Sequence, residues 1–197
     1  MLDGPGMHIL HTPRLQLRHL EARDLDALAA MYADPELRRF FPDGTQTRDE
    51  TARELAYFAH GHPRHPRLGL WATVDRASGR LLGRCGLLPW TVDGRDEVEL
   101  AYLIDTAHQR QGYATEAAQA IVVHARDTLG LARLISLITP GNAASVCIAQ
   151  KVGMRFERTM EDEWGPCHIY AVTLSGDIGR CTGAGALALS PSSPPCR

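Results

Sequence analysis

The strongest constraint on the fold is a strand, a turn containing glycine and a long helix that follow one another directly. Residues 98–104 form an apolar run typical of a strand, and Glu99 is the charged residue within it. After Gly112, small and aliphatic residues recur at helical spacing as far as Leu129. The sequence therefore predicts a strand that leads through a tight turn into a helix with one apolar face.

The turn has the properties of a phosphate-binding site. The first N–H groups of a helix lack intrahelical acceptors and carry the positive end of its dipole, so a turn that points them outward can bind an anion. Gly112 lets a ligand approach the backbone, and the small side chain of Ala114 keeps the next turn open. Neither G-x-x-x-x-G-K-[ST] nor G-x-G-x-x-G is present. The alternative is an ordinary strand-to-helix connection.

A second motif follows downstream. Pro140, Gly141 and Asn142 indicate a turn and a helix N-cap, and Gly153 is placed to end the helix. Residues 154–160 are then typical of a strand. As an N-cap, Asn142 needs no ligand, and Ser145, in the first helical turn, can bond its own backbone.

Together these segments resemble the GNAT acetyltransferase superfamily. Gln109, Gly112 and Ala114 match its pyrophosphate-binding pattern Q/R-x-x-G-x-G/A, and residues 142–154 match N-x-x-S-x-x-x-x-x-K-x-G-M. The order E-L-x-Y, G-Y-A-T-E-A, N-x-x-S and G-M is most similar to the ribosomal-protein N-terminal acetyltransferase (RimJ/RimL-like) branch. The resemblance extends over roughly residues 12–175. It implies acetyl-CoA as co-substrate, held by the strand end, the turn and the second helix: Leu103, Ile104, Gln109, Arg110, Gln111, Gly112, Tyr113, Ala114, Thr115 and Asn142.

The resemblance also assigns chemical roles to Glu99, to the backbone near Leu103 and Ile104, and to Ser145. It places Glu99 beside the acetyl group, where the carboxylate could act as a general base on the amine, directly or through water. The alternative for Glu99 is a polar strand face in contact with solvent. Backbone N–H groups near Leu103 and Ile104 would polarise the thioester carbonyl. Many relatives carry a tyrosine seven positions after the asparagine, where this chain has Ala149. Ser145 is then the candidate to hydrogen-bond the sulfur or to relay a proton.

The order of predicted elements indicates a single α/β domain with a mixed, mostly antiparallel sheet between helices. We expect a loose arm over residues 1–11, the domain over residues 12–175, and a disordered glycine- and proline-containing tail over residues 176–197. Within the domain, residues 14–20 alternate as a strand with Leu15 and Leu17 facing inward, and Thr47 and Glu50 suggest a capping box.

Composition excludes several classes of protein. The net charge of −2 gives no basic surface for nucleic acid, and no apolar run is long enough to span a membrane. Five cysteines without a C-x-x-C pair fit a reducing compartment, so we expect a cytoplasmic protein without a disulfide framework. His60, His62 and His65 lie in an irregular loop that lacks a carboxylate, and we expect no metal. Nothing in the sequence excludes a homodimer.

Three functions remain open at this point. The first is acetyl transfer from acetyl-CoA to an amine by direct attack in a ternary complex, with a protein N-terminus or an amine-bearing small molecule as acceptor. The second is acetylation of an antibiotic or polyamine, for which an acidic rim could come from Asp43, Asp49, Glu50 and Glu54. The third, prompted by Ala149, is a domain that binds acetyl-CoA as a sensor without turnover.

Four aromatic residues are candidates for the acceptor pocket: Phe40, Phe41, Trp71 and Trp90.

Overall fold

The computed structural model describes residues 8–162 and 164–174. Eight strands form one sheet: β1 (His8–His11), β2 (Leu15–His19), β3 (Gly69–Asp75), β4 (Leu81–Val92), β5 (Arg95–Ile104), β6 (Arg133–Ile138), β7 (Arg155–Asp162) and β8 (Gly165–Thr173). Five α-helices accompany them: α1 (Leu25–Tyr32), α2 (Pro35–Arg38), α3 (Arg48–Phe58), α4 (Tyr113–Asp127) and α5 (Ala143–Lys151).

The strand order in the sheet is β1-β2-β3-β4-β5-β6-β8-β7. Every neighbouring pair is antiparallel except β5 and β6, which are parallel because α4 carries the chain back between them. The prediction of a single α/β domain with a mixed, mostly antiparallel sheet flanked by helices is confirmed.

The parallel pair is the irregular part of the sheet. β5 pairs with β4 along its whole length, from Arg95 opposite Val92 to Ile104 opposite Gly83. Its pairing with β6 is confined to Glu99 opposite Ile135. The end of β5 therefore keeps one edge hydrogen-bonded to β4, while its other edge separates from β6 and opens the centre of the sheet.

Each face of the sheet has its own core. On one face, α4 presents Ala117, Ala118, Ile121 and Ala125, all fully buried against residues such as Leu15 and Leu100. The small alanine side chains let the helix axis approach the sheet closely. They form the apolar face that the sequence predicted for this helix. The other face buries α1 and α3 through Leu28, Tyr32 and Phe58. The sheet is thus covered on both sides around the opening between β5 and β6.

Some expectations need correction and some are confirmed. The expected loose arm is ordered over its last four residues, because β1 pairs with β2. Leu15 and Leu17 are buried as predicted, but Arg18 is buried too, since its guanidinium pairs with Asp24 at 2.7 and 2.8 Å. The capping box at Thr47 and Glu50 is present. The short helix α2 was not predicted. The expected disordered tail, residues 176–197, lies outside the described residues.

Candidate active site

The turn before α4 has the backbone geometry expected of an anion-binding loop. Gly112 is the N-cap of α4 with φ of +83°, and Arg110 also has a positive φ of +61°. Only glycine adopts such a conformation without strain, which explains the glycine at this position. The side chain of Gln109 donates from Nε2 to the carbonyl oxygen of Ile104 at 3.0 Å, so it ties the turn to the end of β5.

A polar cluster outside the predicted motif holds the turn in place. Arg14 donates from Nε to Glu116 at 2.6 Å and from Nη1 to the carbonyl of Gln111 at 3.0 Å. Its guanidinium also lies 4.3 Å from the centre of the Tyr113 ring. Thr12 donates to the same carboxylate at 2.5 Å. Burial alone would raise the pKa of Glu116, but the hydrogen bonds from Thr12 and Arg14 outweigh it and lower the pKa below its usual value.

The turn opens onto a cleft of about 420 Å³ between the end of β5, the start of α4 and α5. Most of the predicted cofactor-binding residues line it: Leu103, Ile104, Gln109, Arg110, Gly112, Tyr113, Ala114, Thr115 and Asn142. Gln111 is turned away, since its side chain donates to the carbonyl of Ala107 at 3.3 Å. A Cβ on Gly112 would come within 3.4 Å of Arg14 Nη2. A slender phosphate-bearing chain fits this cleft, because unpaired helical N–H groups and backbone without bulky side chains form its end.

Glu99 lies in a second, smaller cavity of about 220 Å³, which residues of β4, β5 and β6 line. Its side chain is 9% exposed and Oε2 accepts a hydrogen bond of 2.6 Å from Trp90 Nε1. A solvent-facing strand position does not describe this residue. The carboxylate is a buried acceptor in a cavity wall, so a group entering the cavity meets it without bulk water.

The cleft and the smaller cavity share a wall at Tyr102, Asn142 and Ser145. Asn142 caps α5, since Oδ1 accepts from the backbone N–H of Ser145 at 3.1 Å. The Tyr102 hydroxyl donates to the carbonyl of Ser145 at 2.9 Å. Burial raises the pKa of the Tyr102 phenol well above its usual value, although hydrogen bonding to Ser145 and Ser136 acts the other way. Tyr102 therefore stays protonated at neutral pH and can donate.

Tyr102 and Arg84 are functional candidates that the sequence analysis missed. Tyr102 stood in the predicted strand as an apparent polar-face residue. Arg84 is a single charged residue inside the apolar strand β4, and that break in the pattern was a signal that could have found it. Both line the smaller cavity, together with Phe40, Phe41 and the 57% exposed Trp164. Trp71, in contrast, is fully buried in the core against α4, and Trp90 donates a hydrogen bond to Glu99.

The acidic rim expected for a polycationic acceptor is absent from the described structure. Asp43 pairs with buried Arg38 at 2.5 Å, and Glu50 accepts from the N–H of Thr47 at 2.7 Å as the helix cap. Glu54 is buried and accepts a hydrogen bond from Tyr32. Three of the four carboxylates therefore accept hydrogen bonds from internal donors, and Asp49 is exposed.

The histidine-containing loop serves the structure. His62 is buried and lies 3.2 Å from the Tyr57 hydroxyl, and burial, with His65 and Arg64 adding to it, lowers the pKa of His62 to about 4. Within residues 8–162 and 164–174, no group of three histidine, cysteine or acidic side chains is arranged to hold a metal ion. No helix in the same part of the chain is long and apolar enough to cross a membrane.

Comparisons with known proteins agree with this geometry. The family model for the acetyltransferase (GNAT) domain matches residues 14–155. The uncharacterised protein YkkB of Bacillus subtilis is 30% identical over 162 residues, which cover 82% of this chain and 93% of YkkB. A GNAT-family acetyltransferase of Bacillus anthracis superimposes with a TM-score of 0.73 at 23% identity, over 85% of this chain and 99% of the other.

A third similar protein was solved with coenzyme A bound. It is the ribosomal L7/L12 α-N-protein acetyltransferase RimL, with a TM-score of 0.69 at 16% identity, over 84% of this chain and 97% of that one. At these identities the two structures show a shared fold. The family match over residues 14–155 goes further, and it establishes the chain as a member of the GNAT acetyltransferase family and hence as an acyltransferase.

Proposed function

We propose that the protein transfers the acetyl group of acetyl-CoA to a primary amine, in a protein N-terminus or a small molecule, by direct attack in a ternary complex. One observation carries the proposal: the cleft that ends at the phosphate-binding turn and the cavity that contains Glu99 share the wall formed by Tyr102, Asn142 and Ser145. Two ligands that occupy the cleft and the cavity would meet at this wall.

The separation of β5 from β6 supplies the polarising groups. Beyond Leu100, the edge of β5 that faces β6 has no partner among the described strands, so backbone N–H groups of that edge near Ile104 could bond the pantetheine amides and the thioester carbonyl. Acetyl-CoA supplies the activated acyl group. Asn142 keeps its side-chain NH₂ free while Oδ1 caps α5, so both interpretations of this residue can hold at once.

Glu99 in the smaller cavity and the residues of the shared wall account for the proton transfers. Glu99 accepts a proton from the ammonium group of the acceptor, and the neutral nitrogen forms the C–N bond as the C–S bond breaks. The departing thiolate takes a proton from the Tyr102 hydroxyl or from water beside Ser145. The acylated nitrogen loses its second proton, which restores the donor, so that only the proton on Glu99 is released to solvent. Tyr102 lies in the shared wall with its phenol protonated, so it is a candidate donor where Ala149 cannot act.

An α-amine is the easier acceptor for this arrangement. Near pH 7 roughly a tenth of α-amino groups are already neutral, against fewer than about one in a thousand lysine amines. One buried carboxylate is sufficient to deprotonate an α-amine and less effective for a lysine amine. The internal pairing of Asp43, Glu50 and Glu54 removes the support for a polycationic antibiotic or polyamine.

The deciding experiment measures thiol release from acetyl-CoA with a panel of amino acids, amines, N-terminal peptides and aminoglycosides. We expect turnover with α-amines and none with aminoglycosides. Coenzyme A binding by calorimetry without turnover of any acceptor would instead support the acetyl-CoA sensor.

A further inference from the structure

Arg84 on β4 has a buried guanidinium in which Nη2 has no hydrogen-bond acceptor among the described residues. The side chain is 2% exposed, and Nε donates to the Tyr32 hydroxyl at 2.5 Å. Nη2 is buried without a hydrogen-bond partner anywhere in the described part of the chain. An unsatisfied buried donor is costly, so a structure that retains one at a cavity needs a reason.

The charge of Arg84 is balanced from the side away from its Nη groups. Glu54, itself held by Tyr32, lies 3.8 Å from Nε. Burial alone would lower the pKa of Arg84, but Tyr32 and Glu54 outweigh it, and the pKa is raised. The guanidinium is therefore permanently charged, and Nη2 is left without an acceptor among the described residues.

Arg84 and Glu99 lie in the same cavity. Arg84 pairs with Leu103 and Leu88 pairs with Glu99, so both charged side chains lie on the same face of the sheet. Arg84 and Leu88 are four residues apart, roughly 13 Å along the strand. The position between the two charges on β5 is Ala101, whose small side chain leaves the space open. The cavity has a cationic end and an anionic end.

We propose that Arg84 binds a carboxylate of the acceptor, so that the acceptor is an amine that also carries a carboxylate, as a free amino acid does. The proposal rests on the proposed acetyl transfer and names its substrate class. The ammonium end would face Glu99, and the carboxylate would accept from the Nη groups of Arg84, for which a planar guanidinium is well suited. A cavity of about 220 Å³ favours a small zwitterion over a folded polypeptide.

The test compares acceptors that differ only in the carboxylate. Values of kcat/KM are measured for amino acids, the matching amino acid amides and the matching decarboxylated amines. Peptides that begin with aspartate or asparagine form a second arm, which separates a main-chain carboxylate from an acidic side chain. We expect the wild-type protein to favour the carboxylate by about tenfold or more, the size of a hydrogen bond between charged groups. A ratio near one in both arms would overturn the proposal.

Variants assign the preference to Arg84. Arg84→Gln should reduce the ratio to about one, and Arg84→Lys should keep part of it because the charge remains. Arg38→Gln is the matched control, since Arg38 is equally buried and also has an unpartnered Nη1, but it does not line the cavity. Thermal denaturation checks that each variant folds. An unchanged ratio in folded Arg84→Gln would contradict the assignment.

A binding measurement separates this proposal from the proposed function. Calorimetry with coenzyme A present compares an N-acetyl amino acid with its amide, which requires no turnover. Tighter binding of the carboxylate, lost in Arg84→Gln, supports the site even if no amine is acetylated. Acetylation of amines without any carboxylate preference would leave the acetyltransferase function standing and remove Arg84 from it.

Discussion

The cleft and the smaller cavity are built differently although they share a wall. Backbone shapes the cleft, through the left-handed residues Arg110 and Gly112 and the first turn of α4. Side chains shape the smaller cavity, and they come from strands and loops that are distant in sequence, such as Arg84, Glu99 and Trp164. Substitution of a side chain should therefore change the acceptor more readily than the coenzyme. The following variants test that contrast, from the largest expected effect to the smallest.

Glu99→Gln tests the smaller cavity, which is the half of the site that side chains shape. Glutamine cannot accept the proton, so we expect the rate to fall about 10²- to 10⁴-fold near neutral pH. The loss should shrink above about pH 8, where α-amines are themselves neutral. Affinity for coenzyme A, measured by calorimetry, should stay unchanged.

Glu97→Gln is the control for this variant. It removes the same charge from the same strand, but Glu97 pairs with Arg133 at 3.1 Å and lines neither cavity. A pH–rate profile of Glu99→Gln identical to that of the wild type would exclude the carboxylate as the base.

Gly112→Trp tests the cleft, which is the half of the site that the backbone shapes. The indole would occupy the space before α4, so we expect the dissociation constant for coenzyme A to rise about 100-fold, equivalent to one or two lost charge-assisted hydrogen bonds. Gly94→Trp is the matched control, because Gly94 has a similar positive φ of +73° in the hairpin between β4 and β5, with open space around it. Equal affinities for the two variants would show that the turn does not bind phosphate.

Tyr102→Phe tests the wall that the two halves share. We expect kcat to fall about tenfold, less than a full general-acid contribution of about 10²-fold, because water can also protonate the thiolate. Ser145→Ala should have a smaller effect, since the carbonyl that accepts from Tyr102 is retained. A larger loss for Ser145→Ala than for Tyr102→Phe in steady-state kinetics would make the serine the donor.

Glu116→Gln measures how far the backbone half depends on the polar cluster around Arg14. We expect the free energy of unfolding at pH 7 to fall by about 1–2 kcal/mol. The folded-state pKa of Glu116 is lowered, so its contribution is present above the unfolded pKa of 4.5 and is lost as pH falls through the folded pKa. Urea denaturation should therefore give converging stabilities for variant and wild type as the pH is lowered below about 4. A difference that is independent of pH would contradict this origin.

The parts that the sequence predicted are those that local spacing determines. The alanine stripe of α4, the turn at Gly112 and the cap at Asn142 each follow from a few neighbouring residues. The family motifs lie in the same segments. This is why the segments that form the cleft could be predicted before the fold was known.

The smaller cavity depends on contacts between segments that are distant in sequence. Asp43 and Glu54 had the composition of an acidic rim, yet each satisfies an internal donor, Arg38 or Tyr32. Whether a carboxylate faces solvent or a buried partner depends on how α2 and α3 pack on the sheet. Arg84 and Glu99 share a cavity because β4 and β5 pair in one register. No local pattern contains that information.

The wall between the two cavities has a thermodynamic consequence. A coenzyme in the cleft and an amine in the cavity would contact shared side chains, among them Tyr102, Asn142 and Ser145. Whichever ligand arrives first fixes those side chains for the second. Each must then alter the affinity of the other by the same factor, because linkage is reciprocal. Affinities measured one ligand at a time would misjudge the loaded enzyme by that factor.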